Sequence, residues 1–303
     1  MERIKLIAQG PTVSRLAYGV WRLAEDSAGA APARIEAKIE ACLQCGITTF
    51  DHADIYGGYI CEGLFGQVLK AKPSLRGQME LVTKCDINAP GPNRPGARIK
   101  YYDASAAAIE ECVERSLREL GTDYVDLLLI HRPDWLTRAD DTAAALNRLV
   151  KAGKIRSAGV SNFNVTQFDL LNSVVDQPLV TNQIELSLLQ GKAIFDGTLD
   201  QCQKLGISPM AWSPLAGGRF FDAKDPAAGR VRSLAGALKA GYGDASVDQL
   251  AIAWILALPS RPVVILGTND IARIQAAAQA SNLSLDRQDW YALWTAAAGA
   301  EVP

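Results

Sequence analysis

The chain has 303 residues, of which 49% are hydrophobic and 21% charged, with a formal net charge of -2 and only two histidines. That composition describes a chain with a substantial buried core, and it excludes a basic surface able to hold nucleic acid or anionic lipid by bulk electrostatics. Met1-Glu2-Arg3-Ile4-Lys5 alternates charged and apolar residues instead of forming a signal segment, and no apolar run reaches membrane-spanning length, so a cytoplasmic, enzyme-like protein is expected.

The six cysteines, Cys42, Cys45, Cys61, Cys85, Cys112 and Cys202, are scattered, which favours reduced thiols over a disulfide framework. Cys42 and Cys45 are the one tight pair. They lie late in an amphipathic stretch with no second pair and no nearby His, which favours core packing over zinc or redox chemistry.

Taken in chain order, Lys5 to Gln9 and Thr12 to Arg15, separated by Gly10-Pro11, predict a small hairpin closing one end of the molecule. Apolar runs then begin at Leu16, Ile47, Met79, Val125, Ile155, Leu179, Ile207 and Pro262, and each reads as a strand. Between and after them, amphipathic periodicity predicts helices over 34–44, 61–71, 104–120, 140–151, 165–174, 199–205, 246–257 and 271–280. Eight buried strands alternating with amphipathic helices imply right-handed crossovers and a parallel sheet, and eight such units close into an α/β fold of the (β/α)8 TIM barrel type. No linker or low-complexity stretch divides residues 1–303, so one domain is expected. The connections 85–102 and 216–243 are too long for simple turns and follow strands, which places them over the working face. Residues 287–298 predict an extra C-terminal helix with Trp290 and Trp294 on one face.

Barrel enzymes carry their chemistry at the C-terminal ends of the strands. There stand Trp21, Asp51, Lys84, His131, Ser161, Asn162, Gln183, Glu185, Trp212, Ser213, Gly267 and Thr268, with Tyr56 one short loop beyond Asp51. A carboxylate directly after a buried strand needs a partner, and the ammonium of Lys84, pointing into the barrel mouth, supplies it. The same ammonium near Tyr56 stabilises phenolate and lowers the phenol's pKa, which makes Tyr56 a proton donor. His131 faces them and can hydrogen-bond an oxygen held between phenol and imidazole. This site has an acid but no nucleophile and no metal cage. It fits a carbonyl that is polarised and protonated while a separate group delivers hydride.

Phe50-Asp51-His52-Ala53-Asp54-Ile55-Tyr56-Gly57, Val82-Thr83-Lys84, Asp126 to His131, Gly159-Val160-Ser161-Asn162-Phe163, Asn182-Gln183 and Ala211-Trp212-Ser213-Pro214-Leu215 together resemble the aldo-keto reductase superfamily, and a bacterial branch of predicted oxidoreductases within it. The resemblance implies Tyr56 as general acid, Lys84 and Asp51 as the pair that tunes it, and His131 as the group orienting the carbonyl. It implies that Ser161, Asn162 and Gln183 hold the nicotinamide carboxamide and that Trp212, where Tyr is commoner, stacks on the nicotinamide. Ser213, Leu215, Gly217, Gly218 and Arg219 match the loop covering the pyrophosphate. Gly267-Thr268-Asn269 and then Arg273 match the segment that meets the adenosine phosphate, and Thr268 with a guanidinium there suits a 2'-phosphate, hence NADPH over NADH. Gly267 stands where some members carry Lys.

Trp21, Tyr59 and Trp135 are candidates for the wall of a substrate pocket. His52, flanked by Asp51 and Asp54, suits a hydrogen bond behind the site better than a metal, since Lys84 repels a cation. The activity implied is reduction of a small aldehyde or ketone to the alcohol with NADPH, with a small-molecule carbonyl as the partner. The alternative is a cofactor-binding regulatory or redox-sensing protein on the same barrel that turns over slowly. A metal-dependent barrel hydrolase is disfavoured by the shortage of histidines. Nothing in the sequence sets an oligomeric state.

Overall fold

The eight apolar runs become eight parallel strands: β1 Leu16–Gly19, β2 Thr49–Asp51, β3 Glu80–Cys85, β4 Leu127–Ile130, β5 Ala158–Ser161, β6 Asn182–Glu185, β7 Met210–Trp212 and β8 Val263–Leu266. The computed structural model describes residues 1–301 of the chain. Each strand pairs with its sequence neighbours, and β8 pairs with β1 through Val264–Leu16, Ile265–Ala17 and Leu266–Tyr18, which closes the barrel. Helices between the strands cover its outside, as the right-handed crossover requires.

Several apolar runs begin ahead of the ladder. Val125, Ile155, Leu179 and Ile207 are buried, yet their strands start at Leu127, Ala158, Asn182 and Met210. Burial sets hydrophobicity, whereas ladder pairing sets the strand, and these leading residues belong to the core shared with the surrounding helices, with only a single bridge between Val125 and Ile155. At the other end the ladder runs on into polar residues and carries Asp51, Cys85, Ser161 and Glu185 with it.

The barrel interior is filled by Ala17, Val82, Leu127, Leu129, Val180, Met210, Val263 and Ile265, and Ile4, Leu6 and Val13 close its floor. Those last residues come from the N-terminal hairpin, which pairs Arg3–Lys5 with Thr12–Ser14. Its first strand ends at Lys5 instead of continuing to Gln9, because the chain turns at Ile7, whose carbonyl accepts from the Gly10 N–H at 2.9 Å. Outside the barrel, Trp254 stacks on Trp290 with centroids 4.7 Å apart. Each indole N–H of that pair donates to the other residue's carbonyl, at 3.1 and 2.9 Å. The C-terminal helix Arg287–Ala298 is thereby fixed beside the barrel.

The two long connections are more ordered than their sequences suggest. Residues 85–102 include a two-stranded ribbon, Ile87–Asn88 against Tyr101–Tyr102. Residues 216–243 contain the helix Pro226–Leu238, started by Asp225, whose carboxylate accepts from the Ala227 and Ala228 N–H groups. Its Ala- and Gly-rich sequence has a weak apolar stripe, so periodicity alone does not announce it.

Helix Cys61–Ala71 lies so close to helix Ala106–Leu120 that a Cβ on Gly66 would collide with the Glu119 carbonyl. Gly66→Ala must push two packed helices apart, and it should destabilise the fold by about 1–3 kcal/mol, measured by urea denaturation.

Candidate active site

Lys84 is wholly buried, and its ammonium spends all three donors. It meets Asp51 Oδ1 and Oδ2 at 2.9 and 2.8 Å, the His52 carbonyl at 2.6 Å and the Tyr56 hydroxyl at 3.1 Å. Asp51 also accepts from Gln183 Nε2 at 2.8 Å, so strands β2, β3 and β6 are tied together at one point. Because the Tyr56 oxygen accepts from Lys84, its own O–H is left to donate into the cavity above. The Tyr56 and His131 rings stand edge to face with centroids 6.0 Å apart, and Trp21 lies 6.4 Å from Tyr56 on the other side.

Burial raises the Tyr56 phenol's pKa above its ordinary value; the Lys84 ammonium pulls the other way and is outweighed. The cation alone would lower the phenol's pKa, as the sequence leads one to expect, but the loss of solvent around Tyr56 reverses the direction. Tyr56 therefore holds its proton at neutral pH. Burial penalises the Lys84 charge, but Asp51 and Tyr56 more than compensate and raise its pKa. For His131, burial first and then Lys84, Arg132 and Lys100 push the pKa well below normal, so the imidazole is neutral.

A cavity of about 510 Å³ opens above this cluster. Its lining includes Trp21, Asp51, Tyr56 and His131, then Ser161, Asn162, Gln183 and Trp212, and Ser213, Leu215, Gly217, Gly218, Gly267, Thr268 and Arg273. Asn162 joins two of its neighbours: its amide donates to Ser161 Oγ at 2.8 Å and its oxygen accepts from the Trp212 indole at 3.1 Å. Its φ of 61° is left-handed, a strained value for a residue other than glycine and a recurrent feature of functional sites.

Lys84 lies beneath the cavity against Asp51 and Tyr56, the partners expected for it. Three expected residues sit elsewhere. Arg219 is turned to Asp225 at 2.8 Å and does not line the cavity. Tyr59, at φ 72°, points under the 85–102 connection, where its hydroxyl accepts from the Ala89 N–H at 2.8 Å. Trp135 is 75% exposed on the rim beside Tyr102. The His52 ring also departs from expectation. Both nitrogens lack hydrogen-bond partners, and the ring packs edge-on to Phe65, so only the backbone carbonyl of His52 serves the site. Conversely, the cavity includes Arg22, Arg132 and Phe221, which strand-end reasoning passed over. Arg22 and Arg132 each directly follow a chosen residue, so extending the search by one position finds both.

The lining fits a dinucleotide. It carries an indole face next to hydrogen-bonding side chains, and it includes the Arg273 guanidinium, which has no carboxylate partner among the described residues. Gly217 and Gly218 adopt φ of 66° and 102°, with open space where a Cβ would stand, so backbone can approach a bound group closely. Among the described residues, no group of three or more His, Cys, Asp or Glu is arranged to hold a metal ion, and no helix is long and apolar enough to cross a membrane.

Comparison with known proteins agrees with this geometry. The Aldo/keto reductase family is matched over residues 15–297, and the chain belongs to that family, whose members are oxidoreductases of carbonyl and alcohol substrates that generally use nicotinamide cofactors. It is 49% identical to the 6-dehydroglucose reductase of Agrobacterium fabrum over the full length of both chains. It is 44% identical to the oxidoreductase YdhF of Escherichia coli, again over both full lengths. The glycerol dehydrogenase structure from Gluconobacter oxydans superposes with a TM-score of 0.84 at 26% identity, covering 98% of this chain and 95% of that one.

Behind β3, Glu62 is buried and accepts from Thr83 Oγ1 at 2.6 Å. Burial lifts its pKa to about 7. Between the ordinary carboxylate range and pH 7 the folded chain thus keeps a proton that the unfolded chain has lost, so stability falls as pH rises through that window. Glu62→Gln should flatten the pH dependence of unfolding free energy there by up to about 1.4 kcal/mol per pH unit, read from denaturation curves at a series of pH values.

Proposed function

We propose that the chain reduces an aldehyde or ketone to the alcohol with NADPH, and that Tyr56 supplies the proton. One observation carries this reading: the Tyr56 hydroxyl, held by the Lys84 ammonium at 3.1 Å, borders the same cavity as His131. When bound, NADPH supplies the hydride from C4 of the nicotinamide.

The remaining chemistry belongs to side chains of this chain. A carbonyl oxygen placed between Tyr56 and His131 accepts from both, which polarises the carbon toward hydride. As charge builds on that oxygen, the Tyr56 proton moves to it, and the resulting phenolate is stabilised by Lys84, which Asp51 keeps charged and aimed. Ser161 and Asn162 hold the carboxamide, and Gln183 contributes its oxygen, since its amide nitrogen already donates to Asp51 at 2.8 Å and to Met210 Sδ at 3.9 Å. Trp212 offers a stacking face. Thr268 and Arg273 receive the adenosine 2'-phosphate, which favours NADPH over NADH.

The relative named 6-dehydroglucose reductase makes a sugar aldehyde the first substrate to test. Arg132, next to His131 on the cavity wall, agrees with an oxygen-rich compound of that kind. Tyr56→Phe should lower kcat for aldehyde reduction by about 10²–10⁴-fold, with NADPH affinity by calorimetry unchanged. Wild-type-like turnover in that variant would remove Tyr56 from the mechanism. A wild-type chain that binds NADPH but reduces no aldehyde or ketone would shift the reading to a regulatory, cofactor-sensing barrel.

A further inference from the structure

Lys38 has no part in the proposed chemistry, yet its side chain is as buried as that of Lys84. It projects from helix Pro32–Gln44, beside Ile35 and Ile39, and reaches Asp26 Oδ2 at 2.5 Å. Asp26 already has a cation: Arg34 grips both of its oxygens, at 2.6 and 3.2 Å. That pairing holds the Asp26 carboxyl far below the usual carboxylate range. Charge balance at Asp26 therefore does not require Lys38.

The second bond of Lys38 is the informative one. Its ammonium donates to Asn269 Oδ1 at 3.0 Å, and Asn269 Nδ2 donates to the Arg22 carbonyl at 2.6 Å. An ammonium can only donate, so it fixes which end of the Asn269 amide is oxygen and directs the NH2 toward Arg22. Arg22 and Asn269 both line the cavity, and Asn269 lies between Thr268 and the helix that carries Arg273.

We propose that Lys38 is a positioning residue for cofactor binding: through Asn269 it holds the Gly267–Asp270 turn against the Arg22 segment, so that Thr268 and Arg273 face the 2'-phosphate of NADPH. The inference rests on the NADPH reading above. It predicts an effect confined to that phosphate and absent from the carbonyl end of the cavity.

The test is calorimetric titration of wild type, Lys38→Met, Asn269→Ala and the double variant with NADPH and with NADH, alongside kcat and carbonyl KM at saturating NADPH. Lys38→Met should raise the NADPH Kd about tenfold, the scale of one hydrogen bond to a charged group. NADH affinity, kcat and carbonyl KM should stay at wild-type values. The double variant should bind NADPH no more weakly than the weaker single variant, the signature of two residues acting through one path. Unchanged NADPH affinity in Lys38→Met, an equal loss for both nucleotides, or additive losses in the double variant would each overturn the proposal. Should Lys38→Met fail to fold, the NADPH-to-NADH affinity ratio of Asn269→Ala decides, and an unchanged ratio overturns it. Failure of the wild type to bind either nucleotide would instead strike the functional reading itself.

Discussion

The site depends on one buried ion pair. Asp51 and Lys84 end adjacent strands of a barrel that excludes water, and neither charge is tolerable there alone. Breaking such a pair by removing one member costs about 3–5 kcal/mol, a large share of the 5–15 kcal/mol that holds an ordinary domain together. The ammonium is therefore bound into the fold as firmly as the core, and its remaining donors fix the His52 carbonyl and the Tyr56 hydroxyl. A variant at Lys84 disturbs folding and chemistry together. Tyr56 is the cleaner probe, because losing its hydroxyl frees one ammonium donor and leaves the pair intact.

The pKa directions follow from the same arrangement. Burial pushes every titratable group toward its neutral form, and only a group with a close opposite charge resists. Lys84 has Asp51 and stays charged, while His131 faces further cations and stays neutral. Tyr56 has Lys84 on one side and Asp51 behind it, so burial prevails and the phenol keeps its proton. A protonated phenol and a neutral imidazole can both donate to one oxygen, which is what carbonyl polarisation asks of this end of the cavity.

Much of this was legible in the sequence, for a physical reason. A polar residue ending an apolar run stands at the mouth of a barrel, so Asp51, Lys84, His131, Ser161, Gln183 and Trp212 could be placed without coordinates, and the family resemblance added roles to positions. Side-chain direction beyond a turn was not legible. Tyr59 and Trp135 sit beside the motifs, but the left-handed backbone at Tyr59 carries its ring under the 85–102 connection, and Trp135 lies past the rim. Arg219 was drawn away by Asp225, a helix-capping residue whose helix has too weak an apolar stripe to be expected.

Lys38 shows most clearly what local patterning leaves out. Between Glu36 and Glu40 on an amphipathic helix it has the pattern of a solvated residue, and the acceptors it meets in the interior are Asp26 and Asn269, the latter 231 positions along the chain. A closed barrel makes such a contact natural, because β8 returns to β1 and brings the last strand's loop against the first strand's loop. The cavity thus has a buried lysine behind each end, one beneath the phenol and one beneath the turn that precedes Arg273. In both places the sheet alone would leave loop conformation free, and a buried ammonium with fixed acceptors removes that freedom.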